Sequence, residues 1–156
     1  MTHPAIPEGP HALDLAAQWQ QAPPDPATTQ AIANLMQAYA LFTDHARGED
    51  LAGLFTEDAV WDGRDLGYGT ARGPQAIAEA VLVHDKPDST MVHLPGPPML
   101  VSRSDREVGA FSWCLATRSV GGQVRPLIFF AYTDVLRCDE QCWRFAHRTL
   151  HRSLPA

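Results

Sequence analysis

Four side chains in this sequence could move a proton or steady a developing charge. His93 is one of 7 histidines, and imidazole is the group best suited to accept and return a proton near neutral pH. It sits in a strand-like run, Met91-Val92-His93-Leu94, where a lone histidine is commonly structural or exposed. Asp44 could orient such a base, but a carboxylate near a helix end ordinarily faces water. Tyr39 could donate a phenolic hydrogen bond to a carbonyl or a departing hydroxyl, or be plain core. Arg148 follows Trp143-x-Phe145 and could hold an anionic oxygen. With Arg144 and Arg152 close by, it reads equally as a solvated strand charge. Residue type alone leaves each of these alternatives open.

The elements that must position these groups begin with the stretch from Ala31 to Gly63. Ile32, Leu35, Met36, Tyr39 and Phe42 recur at helical spacing, so one face is buried. Thr28 or Thr29 is the expected N-cap. Asp44 falls to one side of the apolar stripe, so periodicity does not bring it to a pocket. After the break at His45-Ala46-Arg47-Gly48, a second helix is expected over Asp50–Phe55, and Ala59-Val60-Trp61 opens a strand. A short strand is expected near Gly67–Ala71. A helix over Gln75–Val83, with Pro74 tolerated in its first turn, should bury Ile77, Ala80, Val81 and, at its end, Val83.

Four strands are expected to follow. The first runs over Met91–Val101 and is interrupted by Pro95-Gly96-Pro97-Pro98, which cannot complete a ladder and bears on the mouth of any pocket. The second, Glu107–Arg118, alternates around Phe111, Trp113 and Leu115. Gly121-Gly122 is a hairpin turn signal. The third, Val124–Arg137, is apolar on both faces at Leu127-Ile128-Phe129-Phe130, as suits a central strand. The fourth runs from Cys142 to about Arg152. Helices first and hairpins after give an α+β fold, a curved antiparallel sheet wrapped around the long helix as a cone. Residues 1–27 read as an arm with a short helix over Leu13–Gln21, ended by Ala22-Pro23-Pro24-Asp25-Pro26. That arm is either disordered or laid over a neighbouring subunit; the domain proper spans 28–153.

A chain of 156 residues is large enough for one full core. The net charge of −6 and the lack of a basic run argue against nucleic acid or an anionic membrane as partner. No apolar run is long enough to span a bilayer. Met1-Thr2-His3-Pro4 lacks a signal-peptide layout, so a cytoplasmic location is expected. The 3 cysteines, Cys114, Cys138 and Cys142, do not make a disulfide framework, although Cys138 and Cys142 flank the expected hairpin turn Asp139-Glu140-Gln141 and could bridge. No ligand spacing for zinc is present.

The order of pieces resembles the SnoaL-like proteins of the nuclear-transport-factor-two-like superfamily. The pieces are the Tyr39-bearing helix, Asp44, the Gly/Asp turn, Leu54-Phe55-x-Glu57-Asp58-Ala59-Val60-Trp61, Gly73-x-x-x-Ile77, Met91-Val92-His93, Tyr132-Thr133-Asp134 and Trp143-Arg144-Phe145-Ala146. They span roughly residues 28–152. The resemblance implies a cystatin-like cone with one apolar pocket. It implies that His93 is the base, as in SnoaL-like dehydratases and hexachlorocyclohexane dehydrochlorinase, with Thr90-x-x-His93 shifted by one from the family's T-x-H. It implies that Asp44 pairs with His93 to fix its tautomer. Tyr39 stands at the spacing of an active-site tyrosine in bile acid dehydratases, and Arg148 matches an arginine late in the last strand. Tyr132 matches a pocket-lining aromatic, and Trp61, Tyr68, Phe111 and Trp113 would add apolar walls. Arg118, a further expected substrate-binding residue, stands roughly where scytalone dehydratase has a second histidine, which makes that particular reaction a poor fit. A ketosteroid-isomerase base would fall at about Gly63, which disfavours that chemistry.

The expected function is therefore that of a cofactor-independent lyase, a dehydratase or dehydrohalogenase acting on a small to medium apolar ring compound. No metal and no organic cofactor is called for. A polyketide-type cyclase or isomerase using the same acid–base pair is the first alternative, and a non-catalytic ligand-binding protein is the second. Open sheet edges imply a homo-oligomer, a dimer or trimer.

Overall fold

The long helix α2 (Pro26–Asp44) is the axis on which the other elements are laid. The computed structural model describes residues 5, 8–83, 90–140 and 142–152. Asp25, not Thr28 or Thr29, caps α2: its side chain accepts from the backbone N–H groups of Ala27 and Thr28, and Pro26 takes the first helical position. Both threonines are already inside the helix. Ile32, Leu35, Met36 and Tyr39 are buried, as the stripe requires.

Around α2 lie α1 (Ala12–Gln18), α3 (Gly48–Ala52), α4 (Pro74–Leu82) and strands β1 (Phe55–Asp62), β2 (Thr70–Arg72), β3 (Thr90–Pro95), β4 (Met99–Ser104), β5 (Glu107–Val120), β6 (Gln123–Asp139) and β7 (Cys142–Arg152). The sheet order is β2-β1-β7-β6-β5-β3, with β4 also on β5. β1 runs parallel to β7; the other pairs are antiparallel. This is the α+β layout expected, with an open sheet curved around α2.

Several boundaries differ from the sequence reading. The second helix is Gly48–Ala52 rather than Asp50–Phe55, because Phe55 pairs with Phe145 and starts β1. The helix after Pro74 buries Ile77, Ala78 and Val81, whereas Val83 is 73% exposed. The interrupted strand is two strands, β3 and β4, laid end to end along the same edge of β5. Its Pro97 and Pro98 sit in the gap, where no ladder donor is needed. Gly121 and Gly122 both take positive φ, 58° and 77°, as a tight hairpin demands. All three cysteines are free, and Cys138 lies opposite Trp143 rather than Cys142.

Residues of the N-terminal arm lie on their own chain. Leu15 of α1 is 2% exposed and packs so closely on Gly109 that a Cβ there would come within 2.8 Å of it. Gly9 lies against Thr149, Thr133 and His147 on the outer face of the sheet. No helix among the described residues is long and apolar enough to cross a membrane.

The largest correction concerns β5. Ala110, Ser112, Cys114 and Ala116 face inward and are all buried to 1% exposure or less. Phe111 and Trp113, expected as pocket walls, therefore face outward, since strand side chains alternate. They meet edge to face, and Trp113, 43% exposed, stacks on Phe129. Small inward residues leave the width that α2 and a chamber need.

Candidate active site

Asp44, the last residue of α2, reaches β3. One carboxylate oxygen meets His93 Nδ1 at 2.6 Å, and the other accepts from the His93 backbone N–H at 2.9 Å. β3 is an edge strand, so that N–H has no strand partner on its open side; the carboxylate supplies one. Both side chains are 12% exposed. A carboxylate beside Nδ1 makes that nitrogen the one carrying the proton, and leaves Nε2 as the free base.

His93 lines a chamber of about 130 Å3. Its deep wall is formed by Tyr39, Trp61, Phe130, Tyr132 and Leu150. Half-exposed Tyr68 and Leu127 stand toward the outside, and Arg118, Met91 and Ala116 line the β3–β5 side. Leu127 is the extra residue where the β5–β6 register slips between Ala116 and Thr117, and that bulge turns it to the chamber. None of residues 95–98 lines the chamber. A larger cleft of about 880 Å3 lies between α3, α4 and β1, but no histidine or tyrosine among the described residues lines it, so volume alone does not locate the chemistry.

The sequence reading placed Tyr39, Trp61, Tyr68, His93, Arg118 and Tyr132 together, and they do share this chamber. Asp44 stands behind His93 rather than in the wall. Arg148 is elsewhere. It is 1% exposed and does not line the chamber; both arms of its guanidinium are taken by Asp134, at 2.8 and 2.9 Å. The planar cation lies over the rings of Tyr39, Tyr132 and Phe145, 3.9–4.2 Å from their centroids. It is not placed to touch a leaving group directly, because it is buried behind the aromatic rings and outside the chamber wall. Burial opposes its charge, but the charge of Asp134 and the two hydrogen bonds more than offset this, and the guanidinium stays above its usual range.

Burial raises the phenol of Tyr39, and the charge of Arg148 only partly offsets it. Burial raises Tyr132 still further. Both phenols thus stay protonated and remain donors. Burial also pushes the Cys114 thiol to about 11, so it is no nucleophile. Among the described residues, no three His, Cys, Asp or Glu side chains are grouped to hold a metal ion.

Sequence reasoning missed Thr43, Leu66, Val81, Met91, Ala116, Leu127, Ile128, Phe130 and Leu150 in the wall, and Asp134 beneath it. A signal for some existed. Met91, Ala116, Phe130 and Leu150 each stand two places from a residue already singled out, and strand period puts them on the same face.

No curated protein matches the chain. Solved structures do. A protein of unknown function from Mycobacterium tuberculosis, Rv3472, is 23% identical, with TM-score 0.72 over 85% of this chain and 78% of that one. A candidate scytalone dehydratase from Novosphingobium aromaticivorans is 21% identical, with TM-score 0.69 over 82% and 85%. ActVI-ORFA from Streptomyces coelicolor is 16% identical, with TM-score 0.73 over 81% and 98%. At these identities the likeness is one of fold. The profile of the SnoaL-like domain matches residues 27–149, and with most of its length so matched the chain belongs to the SnoaL-like family.

Proposed function

We propose that this protein is a cofactor-independent lyase whose base is His93, oriented by Asp44. The observation that carries this reading is the two-point contact between them at the wall of an apolar chamber. His93 Nε2 takes a proton from carbon next to a carbonyl, the C–H electrons form a carbon–carbon double bond, and the group on the β-carbon leaves with its bonding electrons. For a hydroxyl, the proton held by His93 is returned to it and water departs; for a halide, the proton goes to solvent. Tyr39, kept protonated by burial, donates to the carbonyl oxygen as negative charge develops there. Arg148 is a positioning residue: its charge lies under the Tyr39 and Tyr132 rings and strengthens their hydroxyls as donors. A chamber of about 130 Å3 suits one ring, since a benzene-sized ligand occupies a cavity of roughly 150 Å3.

The test is a panel of single-ring β-hydroxy and β-halo ketones, followed by product mass. Wild-type protein should speed loss of water or halide, and His93→Ala should lose about 10²- to 10⁴-fold. An isomeric product of unchanged mass would favour the cyclase or isomerase reading. If substrate analogues bind without conversion or exchange of the α-proton in heavy water, the protein is a ligand-binding member of the family.

We also propose that the outer face of the sheet is covered by a second copy of the chain. Val92, Leu94 and Trp113 present apolar side chains there at 39%, 53% and 43% exposure.

A further inference from the structure

Two buried donors in the chamber wall make no hydrogen bond among the described residues. Trp61 is 2% exposed, yet its indole N–H makes no hydrogen bond; it lies near the Tyr39 phenol without bonding geometry. The Nε of Arg118 is buried and also unpartnered. A buried donor left empty costs on the order of 1–3 kcal/mol, so two in one small chamber mark places where a ligand supplies acceptors. Neither group can accept: indole N–H and guanidinium are donors only.

Charge sharpens the picture. Among the described residues no Asp or Glu lines the chamber and Arg118 makes no ion pair. Directly across the ladder from it stands Arg125, whose guanidinium donates to the Gln123 side chain and makes no ion pair among the described residues. Like charges opposite one another in a sheet are unfavourable, and a bound anion would relieve them. Trp61 comes from β1 and Arg118 from β5, with β7 and β6 between them, so the two donors face the chamber from opposite sides.

We propose that the chamber takes a single-ring carboxylate carrying an oxygen at the far end of the ring. The carboxylate is received by Arg118 and the distal oxygen by the indole N–H of Trp61. This deepens the lyase reading by naming the substrate class, and rests on it only for the chemistry; the binding stands by itself.

Three probes test it by calorimetry. 4-Hydroxybenzoate carries both features, 4-hydroxybenzamide lacks the charge, and benzoate lacks the distal oxygen. 4-Hydroxybenzoate should bind tightest. Arg118→Gln should weaken 4-hydroxybenzoate and benzoate about 10- to 100-fold, as loss of a charge-assisted hydrogen bond does, and weaken the uncharged amide much less, so that the acid-to-amide affinity ratio falls. Trp61→Phe should weaken 4-hydroxybenzoate and the amide about 5- to 10-fold and leave benzoate unchanged. In an amide nitrogen–proton spectrum, the Trp61 indole signal should move with 4-hydroxybenzoate and not with benzoate. Arg118 is partly exposed, so its variant folds even if Trp61→Phe does not. The proposal is overturned if 4-hydroxybenzoate does not bind, if Arg118→Gln leaves the acid-to-amide affinity ratio unchanged, or if the indole signal stays still. All three affinities are read without turnover, so a failed lyase reading would leave the binding pattern intact.

Discussion

Asp44 holds His93 with both oxygens, one on the ring and one on the backbone N–H. Position and tautomer of the imidazole are thereby fixed by a single carboxylate. Two donors meet two acceptors, and an amide in the same place could serve only one of them.

Asp44→Asn should therefore lower turnover nearly as far as loss of His93. If the amide oxygen keeps the backbone N–H, its NH2 faces Nδ1, which must then give up its proton to Nε2. The base is then in the wrong tautomer, a fault that costs about 10⁴-fold in the serine-protease triad. Nitrogen-15 spectra of the His93 ring check this without a substrate: wild type should carry the proton on Nδ1 and the variant on Nε2. Equal spectra would sink the claim that Asp44 sets the tautomer.

The Arg148–Asp134 pair, at 1% and 0% exposure, predicts a stability effect. Asp134→Asn leaves a buried guanidinium uncompensated and should cost about 3–5 kcal/mol, read from urea unfolding midpoints. Replacing both residues with apolar ones of similar volume should recover most of it. A single variant with wild-type stability would mean that the pair is better solvated than its burial indicates.

Two histidines on the outer face make stability depend on pH. Burial pulls His147 and His151 below their ordinary 6.5. His147 is 6% exposed with Nε2 unpartnered, facing Asp62, Asp134, Arg72 and Arg64. His151 meets the Thr133 hydroxyl at 2.7 Å and faces Asp65, Asp62, Asp134 and His11. The unfolded chain then binds more protons just below 6.5, so stability is full above that value and falls as pH drops toward the folded values. Asp58 and Asp62, lowered from 3.8 by hydrogen bonds from Arg137 and Arg64, lose their contribution only in more acid solution. Urea midpoints between about pH 7.5 and about pH 5 should fall, and His147→Phe should flatten the curve.

The exposed outer face predicts association. Trp113 stacks on Phe129 with centroids 5.1 Å apart, and Leu94 is nearby on the same face. Sedimentation should find a dimer or trimer in the wild type and monomer in Trp113→Glu. A wild-type monomer at high concentration would remove the oligomer from the account.

The order of elements was legible in the sequence, because helical and strand periods are local properties. The stripe on α2, the hairpin at Gly121-Gly122 and the central character of β6 all follow from side chains within a few residues of one another. The parity of β5 was not, because both of its faces carry apolar residues and nothing local says which faces α2. Small residues at Ala110, Ser112, Cys114 and Ala116 decided it, since only that face lets the helix approach. The meeting of Asp44 with His93 was suggested by family likeness alone: 49 positions separate them, and Asp44 is off the apolar stripe. Tertiary structure brought them together by laying an edge strand with an unpaired N–H beside the end of α2. It also moved Arg148 out of the chamber, because Asp134, two residues beyond Tyr132 on β6, stood opposite it in the ladder and closed the charge before any substrate could use it.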